Sequence, residues 1–226
     1  EVIDLTDYEN TRAKFLGFSI DGSSFYIASN QRDARTLDIY KYSVDDYSKS
    51  MLYQNNEAYE VTAKSDGDRY FVLTNSVDNY STQIVLYDQI TDAELNITNN
   101  KVENSFLSFM GNTLLYSSNY DDNFNQLWSI DLTTNEEKKV YSAPWDIVGA
   151  NFYENTNTLH VFINEDASTK LVFLSAEDYT ELSNEILPSE GLKGFSLSRA
   201  EDSYAFVYGS DTSPGDLFFS KSNFDE

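Results

Sequence analysis

Phe18-Ser-Ile-Asp-Gly-Ser-Ser-Phe-Tyr-Ile-Ala-Ser-Asn30, followed by Leu37-Asp-Ile-Tyr-Lys-Tyr42, carries the clearest structural signal in this chain. It predicts a short strand, a turn at Asp21-Gly22, a second strand, a polar loop and a third strand. Asp-Gly between alternating apolar runs is a strong hairpin signal, because Gly reaches a positive φ without a Cβ clash. The stretch therefore indicates an antiparallel sheet.

The second strand of this stretch recurs along the chain. Five copies of it end at positions 30, 75, 119, 164 and 209, so they are separated by 45, 44, 45 and 45 residues. The copies alternate in polarity and are rich in Tyr, Phe, Val and Ile, which favours strands over helical repeats. A period near 45 with four short strands in each unit is typical of propeller blades. The repeat predicts an all-β chain with a β-propeller fold of about five four-stranded blades.

We expect residues 1–226 to form a single β-propeller domain or a segment of one. Residues 1–6 have the pattern of an outer strand that ends a preceding blade, whereas the fifth repeat has no outer strand of its own. Either residues 1–6 complete the fifth blade of a closed five-bladed ring, or the chain is a segment of a larger propeller with seven or eight blades. The start at Glu1 rather than Met predicts a processed protein or an excised piece. The predicted blades span 14–53, 57–98, 102–142, 146–187 and 191–222.

Composition excludes several classes of function. The chain has 15 Lys and Arg against 38 Asp and Glu, and a net charge of −23 repels phosphate backbones and anionic lipids, so we expect no nucleic-acid partner. Hydrophobic residues make up 40% of the chain, enough for a packed core. Without Cys, disulfides, Cys-ligated zinc and thiol chemistry are excluded. No apolar run reaches membrane-spanning length, so we expect no membrane insertion. We also expect no cofactor.

Serine-hydrolase chemistry requires a nucleophile, a base and a group that orients the base. The only histidine, His160, occupies a strand position that the other copies fill with Tyr26, Phe71, Leu115 and Ala205. Such a position predicts packing rather than catalysis. The chain also has no Gly-x-Ser-x-Gly nucleophile motif. We therefore predict no catalytic residue in this chain.

Asp121-Asp-Asn-Phe-Asn125 has oxygen ligands at alternate positions, as in a calcium-binding EF-hand loop. However, Gln126 stands where that loop needs its turn glycine, and Leu132 stands where it needs the bidentate glutamate. The segment is therefore predicted to be a solvated loop, and we predict no metal site. A glycosidase needs two carboxylates in defined roles, and no pair stands out among the 38 acidic residues.

Three residues are candidate contacts for a partner or substrate. Trp145 lies in the loop that leads into the fourth predicted blade, where we expect exposure, whereas Trp128 falls within a strand and is predicted to be in the core. Arg32 and Arg35 lie in the polar loop of the first blade and can pair with carboxylates of a partner, although solvated loop charges are common.

The repeat resembles the WD40-like unit of TolB and of the propellers of the prolyl oligopeptidase (S9) family. That unit reads F-S-P-D-G, then a strand that ends in S-N, then L-Y-V-Y. This chain has Ile20 in place of the proline, and it keeps Asp-Gly only at Asp21-Gly22 and Asp66-Gly67, while Gly111 belongs to a degenerate copy of the turn.

A second phrase favours the peptidase within this resemblance. Ser210-Asp-Thr-Ser-Pro-Gly-Asp-Leu217, which contains Pro214, Gly215 and Asp216, leads into the last predicted strand. Together with Pro144-Trp-Asp-Ile147, it is similar to later propeller blades of acylaminoacyl-peptidase-like S9 enzymes.

The resemblance implies a non-catalytic propeller that gates and binds peptide substrates for an α/β-hydrolase domain absent from this chain. That domain would carry the catalytic Ser, Asp and His of a parent serine peptidase, so no catalytic role transfers to any residue here. One alternative is a stand-alone TolB-like propeller that binds a protein partner in the bacterial envelope, and another is a five-bladed enzyme that acts on glycans. The resemblance favours an extracytoplasmic over a cytoplasmic location.

Overall fold

The structure, a computed structural model, describes residues 2–6, 9–99, 101–183, 191–210 and 212–221. These residues form eighteen strands and no helix, so the all-β prediction is confirmed. The strands are β1 (Ala13–Phe18), β2 (Ser24–Ser29), β3 (Asp38–Ser43), β4 (Lys49–Tyr53), β5 (Glu60–Lys64), β6 (Tyr70–Ser76), β7 (Thr82–Asp88), β8 (Ala93–Asn96), β9 (Asn104–Met110), β10 (Thr113–Ser118), β11 (Gln126–Asp131), β12 (Glu137–Tyr141), β13 (Asp146–Tyr153), β14 (Thr158–Glu165), β15 (Ser168–Ser175), β16 (Leu192–Leu197), β17 (Ser203–Ser210) and β18 (Ser213–Lys221).

The strands form antiparallel meanders in chain order. Strands β1–β4, β5–β8 and β9–β12 make three four-stranded sheets. Strands β13–β15 and β16–β18 belong to one six-stranded sheet, within which Thr169 of β15 pairs with Leu192 of β16. The chain divides into two compact units, Glu1–Phe106 and Leu107–Glu226. The number and limits of the blades stay predictions.

Two segments that were predicted as outer strands have other structures where they are described. Residues 2–6 are outside the strands, and Leu5 packs against Phe25, Tyr40 and Tyr42 of the first sheet. Near the predicted outer strand of the fourth repeat, Glu181 forms an isolated bridge with Leu174. The remainder of that segment, 184–190, lies outside the described residues. Whether residues 1–6 complete a neighbouring or closing blade stays a prediction.

The first hairpin of each repeat contains a turn with one residue at positive φ. In the first repeat this residue is Gly22, with φ of 70°, and its N–H donates to the carbonyl of Ser19 as the Asp-Gly signal predicts. In the second repeat, the Asp66-Gly67 prediction is off by one residue. Asp68 has φ of 63° and donates to Ser65, whereas Gly67 is not at positive φ. The later hairpins place Gly111, Asn157 and Glu201 at positive φ.

Pro214, Gly215 and Asp216 lie within β18 rather than in a connection before the last strand. The strand is at the end of the sheet order, where proline is tolerated because the edge position needs no further ladder donor. Gly215 faces Val207 of β17 so closely that an added Cβ would lie 2.9 Å from a methyl carbon of Val207. The glycine therefore permits close approach of the last two strands.

Each unit buries its own apolar cluster. In the first unit the central side chains are Tyr26, Ile39, Val61, Phe71 and Leu73. In the second unit they include Leu115, Leu127, Leu159, Val161 and Leu174. Full burial of one such aliphatic or aromatic side chain contributes about 1.5–3 kcal/mol. The clusters come from the alternating strand positions that defined the sequence repeat.

A buried polar side chain at the start of the third strand holds the end of the repeat in two of the sheets. Asp38 Oδ1 accepts a 2.9 Å hydrogen bond from the backbone N–H of Asn55, which follows β4. Gln126 Oε1 accepts one of 2.7 Å from the N–H of Ala143, which follows β12. Asp38 and Gln126 are completely buried, and these bonds fix the loops that lead to the next repeat.

Candidate binding groove

The loop after β2, the loop after β4 and the start of β1 surround a groove of about 510 Å³ in the first unit. We call it the cationic groove, and define it by Arg12, Lys14, Arg35, Leu37, Tyr59 and Glu60. A smaller groove of about 350 Å³ adjoins it and shares Arg35 and Ala58. Loops held by a rigid sheet scaffold are common positions for binding residues.

Arg12 has a fixed backbone and an unengaged side chain. Its N–H donates a 2.6 Å hydrogen bond to Asn30 Oδ1, and its carbonyl accepts one of 3.2 Å from the N–H of Asn30. The side chain is exposed. Its guanidinium makes no hydrogen bond or ion pair with the residues that the structure describes. Five N–H donors are therefore available at this edge of the groove.

Lys14 is held by backbone carbonyls rather than by a carboxylate. Its Nζ donates to the carbonyl oxygens of Val61 at 2.8 Å and Thr62 at 3.1 Å. These carbonyls belong to β5, which is at the end of its sheet and whose pairing with β6 shifts register between Val61 and Ala63. The ammonium has three donors, so one remains for a ligand, and its positive charge is not neutralised by these contacts.

Arg35, one of the predicted contacts, lies at the rim of the cationic groove. Its Nη2 is 2.9 Å from Asp33 Oδ2 and its Nε donates to Asp33 Oδ1 at 3.1 Å. These hydrogen bonds hold the pKa of the Asp33 carboxyl well below its ordinary value. The Arg35 side chain is nevertheless 85% exposed. Its Nη1 donors point to no described partner, so the side chain can reach a ligand.

Arg32, another predicted contact, is already paired inside the protein. Its Nε and Nη2 form a bidentate ion pair with Asp38 at 2.7 and 2.8 Å, and Nη2 also donates to the carbonyl of Asn55 at 3.3 Å. The hydrogen bonds to Asp38 raise the pKa of Arg32. The geometry gives Arg32 a structural role in the adjoining groove, and its contact with a partner stays a prediction.

Trp145, the third predicted contact, is in the second unit. It is half-buried and packs beside Phe124, with ring centroids 5.9 Å apart, and against the apolar cluster of that unit. The expected exposure is therefore only partial. Trp128 is also half-buried and stacks on Tyr116, with ring centroids 6.5 Å apart.

His160 is in an aromatic core, as its position in the repeat predicts. The side chain is completely buried, and its ring lies 4.2 Å from Tyr153 and 4.6 Å from Phe173 between centroids. Its Nε2 shares a 3.2 Å hydrogen bond with Thr158 Oγ1. Burial lowers the pKa of His160 to about 3, so the ring is neutral at physiological pH. This environment suits packing and gives a substrate no access to the ring.

The acidic loop at 121–125 binds a lysine within the chain. Asp121 Oδ1 is 2.7 Å from Lys139 Nζ. Across the ranges that the structure describes, three His, Cys, Asp or Glu side chains nowhere come together as a set that could hold a metal ion. In the same ranges, no helix of the length and apolarity needed to cross a membrane is present.

The groove contains residues that the sequence interpretation missed, among them Arg12, Lys14 and Tyr59. The sequence offers a signal for the two cations alone, because four of the 15 cationic residues, Arg12 and Lys14 among them, fall within positions 12–35. That range contains only two carboxylates, although acids outnumber cations more than twofold over the chain. This local excess of positive charge is what an anion-binding surface requires.

Searches against protein families and curated proteins find no match to this sequence. Solved structures do match. One, from a study of two prolyl endopeptidases, has a TM-score of 0.74 and 10% identity, and the match covers 92% of this chain and 33% of that chain. Prolyl oligopeptidase B from Galerina marginata, bound to a 35-residue substrate, has a TM-score of 0.69 and 12% identity, with coverages of 92% and 32%.

A protein assigned as TolB from Agrobacterium tumefaciens has a TM-score of 0.64 and 12% identity, and the match covers 93% of this chain and 77% of that chain. These likenesses and the repeated meanders confirm the predicted β-propeller fold class and its resemblance to the propellers of S9 peptidases and TolB. The chain spans about a third of the length of the two prolyl peptidases.

Proposed function

We propose that this chain is the propeller of an S9-type serine peptidase and that it gates and binds peptide substrates for an α/β-hydrolase domain outside the 226 residues. The observation that carries this proposal is the open cationic groove on loops that a rigid propeller scaffold positions. The structural likeness to two prolyl peptidases, each about three times as long as the matched region, supports it.

The backbone that lines the groove is held in place by hydrogen bonds within the chain, which suits the binding of a peptide. Tyr59 is fixed by Asn55, whose Oδ1 accepts from the Tyr59 N–H at 3.0 Å and whose Nδ2 donates to the Tyr59 carbonyl at 2.7 Å. Asn55 is itself held by Asp38. A preorganised lining reduces the conformational entropy that the site itself loses on binding.

A TolB-like module that binds a folded protein partner is the second candidate. The observation that favours it is the 77% coverage of the TolB structure, far above the third of a prolyl peptidase. In this case the same loops would contact a folded surface, and the chain would act without a hydrolase domain.

The test is the intact mass of the protein produced by its source organism, together with labelling by a fluorophosphonate probe, which reacts with activated serines. We expect a mass far above 25.8 kDa and a labelled product. A mass near 25.8 kDa without labelling would overturn the peptidase proposal and favour the TolB-like module.

A further inference from the structure

We infer that the cationic groove recognises a carboxylate group of the bound peptide. This inference rests on the proposed peptide-binding function and names the ligand chemistry of the same site. Arg12, Lys14 and Arg35 bring three positive charges to the groove, against the single carboxylate of Glu60 among its defining residues. In a chain with a net charge of −23, such a surplus is a local exception.

The three cations differ in how far they are already engaged. Arg12 is unpaired among the described residues, and Lys14 contacts only neutral carbonyl oxygens. Arg35 alone shares its charge with a carboxylate, that of Asp33. A ligand carboxylate therefore meets one unengaged guanidinium, one ammonium with a spare donor and one partly neutralised guanidinium. Planar guanidinium groups bind planar carboxylates through two parallel hydrogen bonds.

The lining of the groove favours a peptide carboxylate over a phosphate. Leu37 and Ala58 provide apolar surface beside the cations, which suits the side chain next to a terminal or side-chain carboxylate. The field of −23 charges opposes a dianionic phosphate more strongly than a monoanionic carboxylate, because electrostatic repulsion scales with ligand charge. A volume of about 510 Å³ is within the ordinary size range of small-ligand sites.

A peptide can present a carboxylate in two ways, through the α-carboxylate of its C-terminus or through the side chains of Asp and Glu. Three acetylated tripeptides separate these sources. The first, acetyl-Ala-Ala-Phe, has a free α-carboxylate, the second is its C-terminal amide, and the third is the amide of acetyl-Ala-Glu-Phe. Isothermal titration calorimetry with the 226-residue chain measures their dissociation constants at one fixed ionic strength.

We expect at least one carboxylate peptide to bind about tenfold more tightly than the uncharged amide. Arg12→Gln should weaken that binding by about tenfold, and the Arg12 backbone bonds to Asn30 remain available in this variant. Asp33→Asn should strengthen binding, because it releases Arg35 while the amide oxygen still accepts from the Arg35 N–H. Arg199→Gln is the matched control, since it removes one exposed cation in the second unit and should leave binding unchanged.

The outcomes separate this inference from the function on which it rests. If all three peptides bind equally, or if Arg12→Gln and Arg199→Gln have the same effect, carboxylate recognition is overturned and peptide binding stands. If inorganic phosphate displaces the bound peptide better than acetate does, the groove is a phosphate site and the inference is wrong. If none of the peptides binds, both the inference and the proposed peptide-binding function fail.

Discussion

The Oδ2 atom of Asp68 accepts a 2.7 Å hydrogen bond from the backbone N–H of Ile20, a residue 48 positions earlier in the chain. The other oxygen of this carboxylate is 2.6 Å from Lys64 Nζ. The second unit repeats the relationship, because Glu201 Oε2 accepts a 2.9 Å bond from the N–H of Thr156, 45 positions earlier. An acid at the positive-φ position of one turn therefore holds the turn of the preceding repeat.

Replacement of Asp68 tests this connection. Asp68→Asn keeps an acceptor for the Ile20 N–H but leaves the Lys64 ammonium, 10% exposed, without its counter-charge. We expect a loss of about 3 kcal/mol in the free energy of unfolding, because a charge left unpaired after burial is costly. Urea denaturation measures this change. Asp66→Asn removes the same charge two residues away at an exposed position, and an equal loss there would refute the role of Asp68.

Arg32 gives a second test, at an ion pair in which only the carboxylate is fully buried. Asp38 is completely buried, and a lysine at position 32 cannot reproduce the bidentate contact with it. We expect Arg32→Lys to lower the free energy of unfolding, because an ammonium cannot make both hydrogen bonds to the buried carboxylate. Arg35→Lys, at an exposed pair with Asp33, should lower the free energy of unfolding several-fold less. Comparable losses in both variants by urea denaturation would show that the Arg32 contact has no special role.

The sequence repeat predicted the strands well because their alternation is strong and recurs at a fixed spacing. The second strand of the first repeat, predicted to close at Asn30, is β2 and ends at Ser29. The hairpin turns were less predictable. In the second repeat the Asp-Gly pair suggested Gly67 for the positive φ, but the contacts of Asp68 with Lys64 and Ile20 favour Asp68 there. Such tertiary contacts override a local glycine preference.

His160 predicts a pH dependence of stability. Its pKa of about 3 in the folded chain lies below the ordinary value of 6.5, so the unfolded chain binds the proton first as pH falls. The contribution of neutral, buried His160 to the free energy of unfolding is fully present above pH 6.5. It is lost as the pH falls from 6.5 to about 3. At about 1.4 kcal/mol per pKa unit, the loss at pH 4.5 is roughly 2–3 kcal/mol.

The variant His160→Phe removes this titration while it keeps an aromatic ring, as Phe71 provides at the equivalent position of the second repeat. Urea denaturation at pH 7 and pH 4.5 should show a smaller decrease in the variant, by roughly 2–3 kcal/mol. Acidic residues contribute equally to both proteins, so they cancel in the comparison. Parallel pH curves would contradict a buried neutral histidine.

The charge of −23 predicts a salt dependence of thermal stability. Repulsion among the acidic residues is screened as ionic strength rises, because the Debye length falls from about 30 Å at 0.01 M to about 10 Å at 0.1 M. We expect the melting temperature to rise over this range. Sodium chloride and choline chloride should have equal effects if screening is the cause. A flat or falling melting temperature would show that the acidic charges are already paired or dispersed.

The candidate groove was only partly predictable. Arg35 was recognised as a loop cation, but its neighbour Arg12 precedes it by 23 residues and reaches the same groove through the pairing of β1 with β2. Tyr59 joins them through the loop after β4, which Asn55 and Asp38 position. The local excess of cations at positions 12–35 does not show which residues meet or that Tyr59 joins them, because strand register and loop conformation bring the members of the set together. The pairing of Arg32 with Asp38 was missed for the same reason.

The positive-φ turns have a consequence for engineering this chain as a set of identical modules. Averaging the repeats would favour glycine at the turn position, as in Gly22 and Gly111, because glycine adopts that backbone freely. Modules of this kind would have easier turns but would lack the carboxylates of Asp68 and Glu201. Each module would then retain its own sheet but lose the hydrogen bond from its turn to the turn of the preceding module. A modular redesign therefore needs two kinds of turn. One has glycine at the positive-φ position, and the other has an acid there that accepts a hydrogen bond from the preceding module.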